Sequence, residues 1–265
     1  VFTQGSHLQI GHNINCAATI YPLTDPEDQS LGEFIPTGCK SVERVLGGGL
    51  ALGKVTLIYG EAGAGKSSLL IQCALQIGRD GRDTLYIDPD RTFSATRFSQ
   101  IAAQESEELS RHIYLLQPNS FADLCNVVEN LAAYLTKQMA LVAIDGLTSL
   151  YRLGIGNRKN AFRMNRDLNR IMATLSEFAA SSKIAVAVTS QVSERITPES
   201  GSNRLEPVAH RVLRHWANVI VNLKKTNRTG VRICNLEKPA LLGSESSAYF
   251  VLTEKGISDL RGSSD

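Results

Sequence analysis

Gly60-Glu61-Ala62-Gly63-Ala64-Gly65-Lys66-Ser67-Ser68 fits the pattern G-x-x-x-x-G-K-[ST] at every fixed position. The preceding run, Val55-Thr56-Leu57-Ile58-Tyr59, is apolar and partly β-branched, and reads as a buried strand. From Ser67 to about Ile77, residues Leu69, Leu70, Cys73, Ala74 and Ile77 share one helical face. Strand, glycine loop and helix is the context in which this pattern works. Glycines at 60, 63 and 65 admit dihedrals that a Cβ forbids and turn N–H groups inward. Those N–H groups and the positive end of the helix bind phosphate oxygens. Lys66 is expected to reach the β- and γ-phosphates, and the Ser67 hydroxyl to ligate Mg²⁺. The bland alternative is a glycine-rich turn that binds nothing. The loop says nucleoside triphosphate and is silent on its use.

Further strands lie on either side of this stretch. Thr84-Leu85-Tyr86-Ile87, Ile113-Tyr114-Leu115-Leu116 and Ile184-Ala185-Val186-Ala187-Val188-Thr189 read as short strands, and Leu141-Val142-Ala143-Ile144-Asp145 is apolar without alternation, as expected of a central parallel strand. Helical spacing separates them: about Ala95 to Gln104, a helix capped by Ser120 and running to about Leu135, and about Ala161 to Ser181. A short helix, Val42 to Leu46 capped by Ser41, precedes the first strand. Val219 to Leu223, Val231 to Leu236 and Ala248 to Leu252 close the chain as three strands, with a hairpin turn at Thr226 to Gly230. The expectation is an α/β fold with a mainly parallel sheet and an antiparallel edge. Residues 34–265 form the core. Residues 1–33 form an N-terminal extension without helical or strand period, poorly ordered or not native to the protein. The chain opens on Val1 rather than Met, compatible with a fragment, an alternative start codon or added residues.

Across 265 residues, 28 basic side chains nearly balance 26 acidic ones, for a net charge of +2, so any polyanion contact must come from local patches. Cys16, Cys39, Cys73, Cys125 and Cys234 are odd in number and widely spaced, which reads as reduced thiols in a cytoplasmic protein. No stretch approaches the ~20 apolar residues of a membrane span. His7 and His12 invite a metal hypothesis, but two isolated histidines are a weak signal.

Asp145 ends an apolar strand and would orient a water on Mg²⁺; the bland reading is a strand-terminating Asp. Gln191 follows the fifth strand, where a neutral amide can contact a γ-phosphate, or be a plain loop residue. Asp90 and Asp88 both end the second strand, and either can align an attacking water or cap the next helix. Arg152, Arg158, Lys159, Arg163, Arg166 and Arg170 cluster after Asp145, followed by Arg195, Arg204, Arg211 and Arg214. A charge run is usually a solvated face. Yet Arg158, Lys159 and the Arg195 to Arg204 stretch are expected in flexible loops on the ligand side, able to follow a phosphate backbone.

Ile35 to Ser41, Gly47-Gly48-Gly49, the glycine loop, Tyr86-Ile87-Asp88, Thr92-Phe93, Leu168-Asn169-Arg170, Val188 to Val192 and Trp216-Ala217 occur in an order that resembles the RecA/RadA recombinase ATPases, most closely their short archaeal members. The resemblance covers about Phe34 to Leu260. It implies a RecA-like P-loop ATPase core that binds ATP and Mg²⁺. Phosphate contacts would come from Gly60, Glu61, Ala62, Gly63, Ala64, Gly65, Lys66, Ser67 and Ser68. Arg97 would stack on adenine, Ser67 and Asp145 would serve the metal, and Asp90 and Gln191 the catalysis. It also implies DNA contacts, single-stranded favoured, from a first loop at about Gly154 to Asn160 and a second at about Ser193 to Arg211. Where the family's RadA-type enzymes carry a catalytic Glu, this chain has Asp90, one methylene shorter, so slow hydrolysis is expected. There is no room for a helix-hairpin-helix DNA-binding domain, and no F-x-x-A subunit-linking motif precedes the core. Lys238 falls where relatives have an acidic, cation-binding residue.

The expected function is therefore an ATP-binding recombination accessory that modulates a RadA-type recombinase, with a homodimer as one form open to it. Three rivals stand beside it. One is a self-assembling recombinase, one a KaiC-like ATPase with protein targets, and one a module holding ATP as a structural ligand.

Overall fold

A computed structural model describes residues 33–155, 158–196, 203–239 and 244–260. His7, His12 and Cys16 lie outside the described residues. In chain order the elements are β1 (Phe34–Ile35), α1 (Lys40–Leu46), β2 (Leu50–Ala51), β3 (Val55–Gly60), α2 (Lys66–Arg79), β4 (Asp83–Ile87), α3 (Ala95–Ala102), α4 (Ser106–Ser110), β5 (Ile113–Leu116), α5 (Phe121–Glu129), β6 (Met139–Ile144), α6 (Ser149–Gly154), α7 (Arg158–Ser182), β7 (Ala185–Ser190), β8 (Val192–Ile196), β9 (Asn203–Pro207), α8 (His210–Trp216), β10 (Val219–Lys225), β11 (Val231–Lys238), β12 (Ser247–Thr253) and β13 (Gly256–Asp259). The main sheet has nine strands in the order β13-β12-β11-β10-β3-β7-β6-β4-β5. From β10 to β5 every pairing is parallel, and from β10 to β13 every pairing is antiparallel.

Both faces of the parallel half are covered, which is why its strands are apolar without alternation. On one face Ile58, Tyr86, Leu141 and Ala187 pack with α1 to α4. On the other, Leu57, Leu85, Val142 and Val188 pack with α5 to α8. At the centre, β3 pairs with β7 and β10, and it delivers the glycine loop to the sheet's carboxyl edge. Gly60 must be glycine there. A Cβ on it would come within 2.1 Å of the Leu223 carbonyl oxygen on β10.

The chain's end is tied back to its beginning. Gln72 of α2 donates to the Ile257 carbonyl at 3.0 Å and accepts from the Ile257 N–H at 2.8 Å, standing in for a strand partner. Asp259 caps α1, accepting from the N–H groups of Lys40 and Ser41 at 3.2 and 2.6 Å and from the Ser41 hydroxyl. This corrects the expected Ser41 cap. Ser41 lies inside α1, Cys39 occupies the cap position but its side chain accepts no capping bond, and the capping carboxylate comes from β13, a strand the sequence reading omitted.

Other boundaries shift as well. The helix capped by Ser120 stops at Glu129, and a 3₁₀ turn covers Leu131–Tyr134. The described parts of both expected flexible loops are largely regular structure, and residues 156–157 and 197–202 lie outside the described residues. Gly154 closes α6, and Arg158 and Lys159 form the first turn of α7. The second segment contains the antiparallel ribbon β8–β9, with Arg195 opposite Arg204 in register, and ends in α8. Four described cysteines, Cys39, Cys73, Cys125 and Cys234, are buried free thiols, and burial pushes Cys234 up to about 12.

Candidate nucleotide site

The loop between β3 and α2 is built as a cradle. Gly63 and Gly65 have φ of 73° and 105°, left-handed backbone that a side chain resists. The 14-residue α2 starts directly after Gly65, so its unpaired N–H groups open into the loop. Lys66 reaches back across it, donating to the carbonyls of Gly60 at 2.8 Å and Glu61 at 2.9 Å. Burial lowers its pKa, Asp145 and Asp90 oppose the shift, and Lys225 from β10 adds to it. A lysine folded over a glycine turn that runs into the N-terminus of a 14-residue helix suits a polyphosphate, and the residues present fit that ligand.

Asp145 follows β6 and is buried. Its two carboxylate oxygens are held by hydroxyls from the neighbouring strands. Thr189 of β7 donates to Oδ1 at 2.7 Å and Tyr86 of β4 to Oδ2 at 2.8 Å. Thr189 Oγ1 in turn accepts from the Gly146 N–H at 2.7 Å. A carboxylate offers about four acceptor positions, so two hydroxyl bonds fix its orientation and leave capacity for a metal-bound water. Among the described residues no group of three or more His, Cys, Asp or Glu could hold a metal ion. A hydroxyl, a carboxylate-held water and phosphate oxygens are the kind of mixed donor set magnesium takes.

Asp88 and Asp90 differ in their partners. Asp88 is fully buried, and accepts from the Thr92 and Phe93 N–H groups at 3.0 and 2.9 Å and from Gln117 at 3.0 Å. It organises the turn. Asp90 lies half-buried over Gly146, so close that a Cβ there would meet its Oδ2 at 2.5 Å. Burial raises its pKa, with Asp145 and Asp88 adding to the shift, while the Ser149 hydroxyl and Arg152 oppose it. Gln191 is exposed just beyond β7, and its Oε1 accepts from Arg152 Nη1 at 2.7 Å.

Arg97 on α3 is fixed at four points. Its guanidinium donates to Ser68 Oγ at 3.0 and 3.3 Å, to the Thr253 carbonyl at 2.7 Å and to the Glu254 carbonyl at 2.8 Å. A guanidinium plane held rigid beside α2 is a ready stacking surface. Lys238 donates to the Ala217 carbonyl of its own chain at 2.6 Å. Arg163 and Arg166 share Asp167, and Arg170 pairs with Glu129 at 2.8 Å, so two carboxylates offset part of the charge of three arginines on that helix face.

Sequence reasoning singled out the Asp145 carboxylate but not the hydroxyls of Tyr86 and Thr189 that aim it, nor Ser149; it counted Arg152 in the basic cluster and not as a partner of Gln191. Tyr86 and Thr189 end strands flanking β6, a placement that requires the strand order. Ser149 and Arg152 lie on α6, a helix too short to declare its period.

Sheet order, glycine cradle and strand-ending carboxylate define a RecA-like P-loop protein. The chain belongs to the Rad51 family, whose profile matches residues 33–260. Within that family it groups with the RadB proteins. It is 31% identical over 233 residues to the DNA repair and recombination protein RadB of Methanothermobacter thermautotrophicus, covering 87% of this chain and 97% of that protein. It is 29% identical over 229 residues to the RadB of Methanococcoides burtonii, covering 86% of this chain and 99% of that protein. A solved structure, the crystal structure of the RadB recombinase, superposes with a TM-score of 0.73 at 30% identity, covering 86% of this chain and 100% of that one. Among the described residues no helix is long and apolar enough to cross a membrane.

Proposed function

We propose that this protein binds ATP with Mg²⁺, contacts single-stranded DNA, and acts in DNA repair and recombination as an accessory to a RadA-type recombinase, with slow hydrolysis. The observation that supports it most is that Asp145 and Asp90 act on Lys66 of the glycine cradle, while Gln191 follows β7, the strand beside β3. Phosphoryl transfer needs little covalent help from protein, only positioning and charge. Lys66 and the loop N–H groups would hold the phosphates. Ser67 and Asp145 would hold the metal and its water, and Arg97 the adenine. Asp90 would align the attacking water from one methylene further than glutamate allows, which is why slow turnover belongs to the reading. DNA would lie along the start of α7, at Arg158 and Lys159, and along the β8–β9 ribbon.

ATP-Mg²⁺ at about 100 times its Kd should stabilise the fold by about 2.7 kcal/mol. That raises Tm by about 5–10 °C for a domain of this size. Lys66→Ala should abolish that rise while leaving the ligand-free Tm unchanged within a degree or two. A wild-type Tm indifferent to ATP-Mg²⁺ would overturn the nucleotide reading. The accessory role has its own check by electron microscopy: regular filaments on single-stranded DNA with ATP-Mg²⁺ would replace it with that of a recombinase.

A further inference from the structure

The turn after Asp145 is laced to the end of β7. The Leu147 N–H donates to the Thr189 carbonyl at 3.1 Å, and the hydroxyls of Thr148 and Ser190 bond at 3.0 Å. This sets α6 against the point where the chain leaves the sheet for the ribbon. Arg152, on the exposed side of α6, meets Gln191 there, its Nη1 donating to Gln191 Oε1 at 2.7 Å. The Gln191 carbonyl accepts from the Val208 N–H at 3.1 Å, just past β9, so this residue is the foot of the ribbon.

An amide has an acceptor end and a donor end, and a guanidinium can only donate. Arg152 therefore holds the oxygen of Gln191 and leaves the NH₂ group as the end with hydrogen bonds still to give. A donor group with no negative charge, at the carboxyl edge of the sheet, suits a terminal phosphate. We infer that Arg152 is a positioning residue, which fixes the Gln191 amide as a phosphate donor and joins α6 and the foot of the β8–β9 ribbon to the same contact. The inference rests on the ATP reading above. It assigns to α6 a part in distinguishing the triphosphate from the diphosphate.

The test is the affinity of the full chain for fluorescent ATP and ADP analogues with Mg²⁺. It compares wild type, Arg152→Met, Arg152→Lys, Gln191→Ala and the Arg152→Met/Gln191→Ala double variant. Arg152→Met should lose about tenfold in ATP affinity, the size of one charge-assisted hydrogen bond, with ADP affinity unchanged. Arg152→Lys, which keeps a cationic donor, should recover most of the loss. The double variant should be no weaker than Gln191→Ala alone, since both substitutions remove one contact. An unchanged ATP-to-ADP ratio, equal losses for both nucleotides, or additive losses would each overturn the role of Arg152. Failure of the wild type to bind either nucleotide would overturn the ATP reading, and this inference with it.

Discussion

Asp90 places its carboxylate over Gly146 and beside Ser149, on the same edge as Asp145. On the proposed ATP reading, its distance from the γ-phosphate would be set by a side chain one methylene shorter than glutamate. A misplacement of about 1 Å can cost on the order of a hundredfold in rate. Asp90→Glu should therefore raise the turnover of ATP at saturation, by about tenfold, with little change in KM. Phosphate release at steady state measures it, and unchanged turnover would remove Asp90 from the water-aligning role. Asp88 gives the matching negative. Its carboxylate is occupied by two backbone N–H groups and Gln117, so Asp88→Glu should disturb the turn and lower Tm without raising turnover. The residue scale was well legible in the sequence where one motif fixes both identity and spacing, as in Gly60 to Ser68. It was ambiguous where two carboxylates stand two positions apart, because only their hydrogen-bond partners separate them.

At the scale of elements, the cap of α1 shows how a local signal is overridden by a distant one. Ser41 before an apolar run reads as a cap, yet Asp259 takes the position across 218 residues, and Ser41 becomes one of its donors. Burial raises the Asp259 pKa, but the hydrogen bonds from Ser41, Lys40 and Cys39 outweigh it and hold the carboxyl below its ordinary value. The folded pKa is the lower one. Its stabilising contribution is thus complete above about pH 4, the unfolded value, and is lost as pH falls through the folded pKa. Asp259→Ala should cost about 1 kcal/mol at pH 7, a fall of about 2–4 °C in Tm. The difference from wild type should shrink below about pH 4. Thermal melts at pH 7 and pH 3 check both statements, and an equal difference at the two values would mean that the carboxylate charge plays no part. The same logic explains the two misread loops. Among the described strands β8 and β9 pair only with each other, apart from the main sheet whose buried strands carry the apolar runs that the sequence declares. The first turn of α7, Arg158-Lys159-Asn160, carries no apolar spacing to mark it.

The molecule as a whole carries a net charge of only +2, and the arginines of mid-α7 are paired with Asp167 and Glu129. The DNA binding proposed above would then come from a small footprint rather than a general field. The α6–α7 corner offers one, because basic residues adjoin apolar groups left open to solvent. Leu153 is 83% and Phe162 76% exposed. These two kinds of group should leave different marks on binding. Phosphate contacts release counterions, so their energy depends on salt, whereas an aromatic ring stacked on a base contributes about 1–3 kcal/mol that hardly varies with salt. Single-stranded DNA binding by fluorescence anisotropy, across several salt concentrations with ATP-Mg²⁺ present, separates them. Arg158→Ala with Lys159→Ala should flatten the plot of log affinity against log salt by about 1.4, or about 0.7 per phosphate contact. Phe162→Ala should lower affinity by about tenfold or more at every salt while leaving the slope alone. If the double variant kept the wild-type slope, the start of α7 would have no phosphate contacts and the ribbon would carry them. If Phe162→Ala changed nothing, the exposed corner would be a surface for a protein, and binding to a RadA-type recombinase would be the measurement to repeat with the same variant.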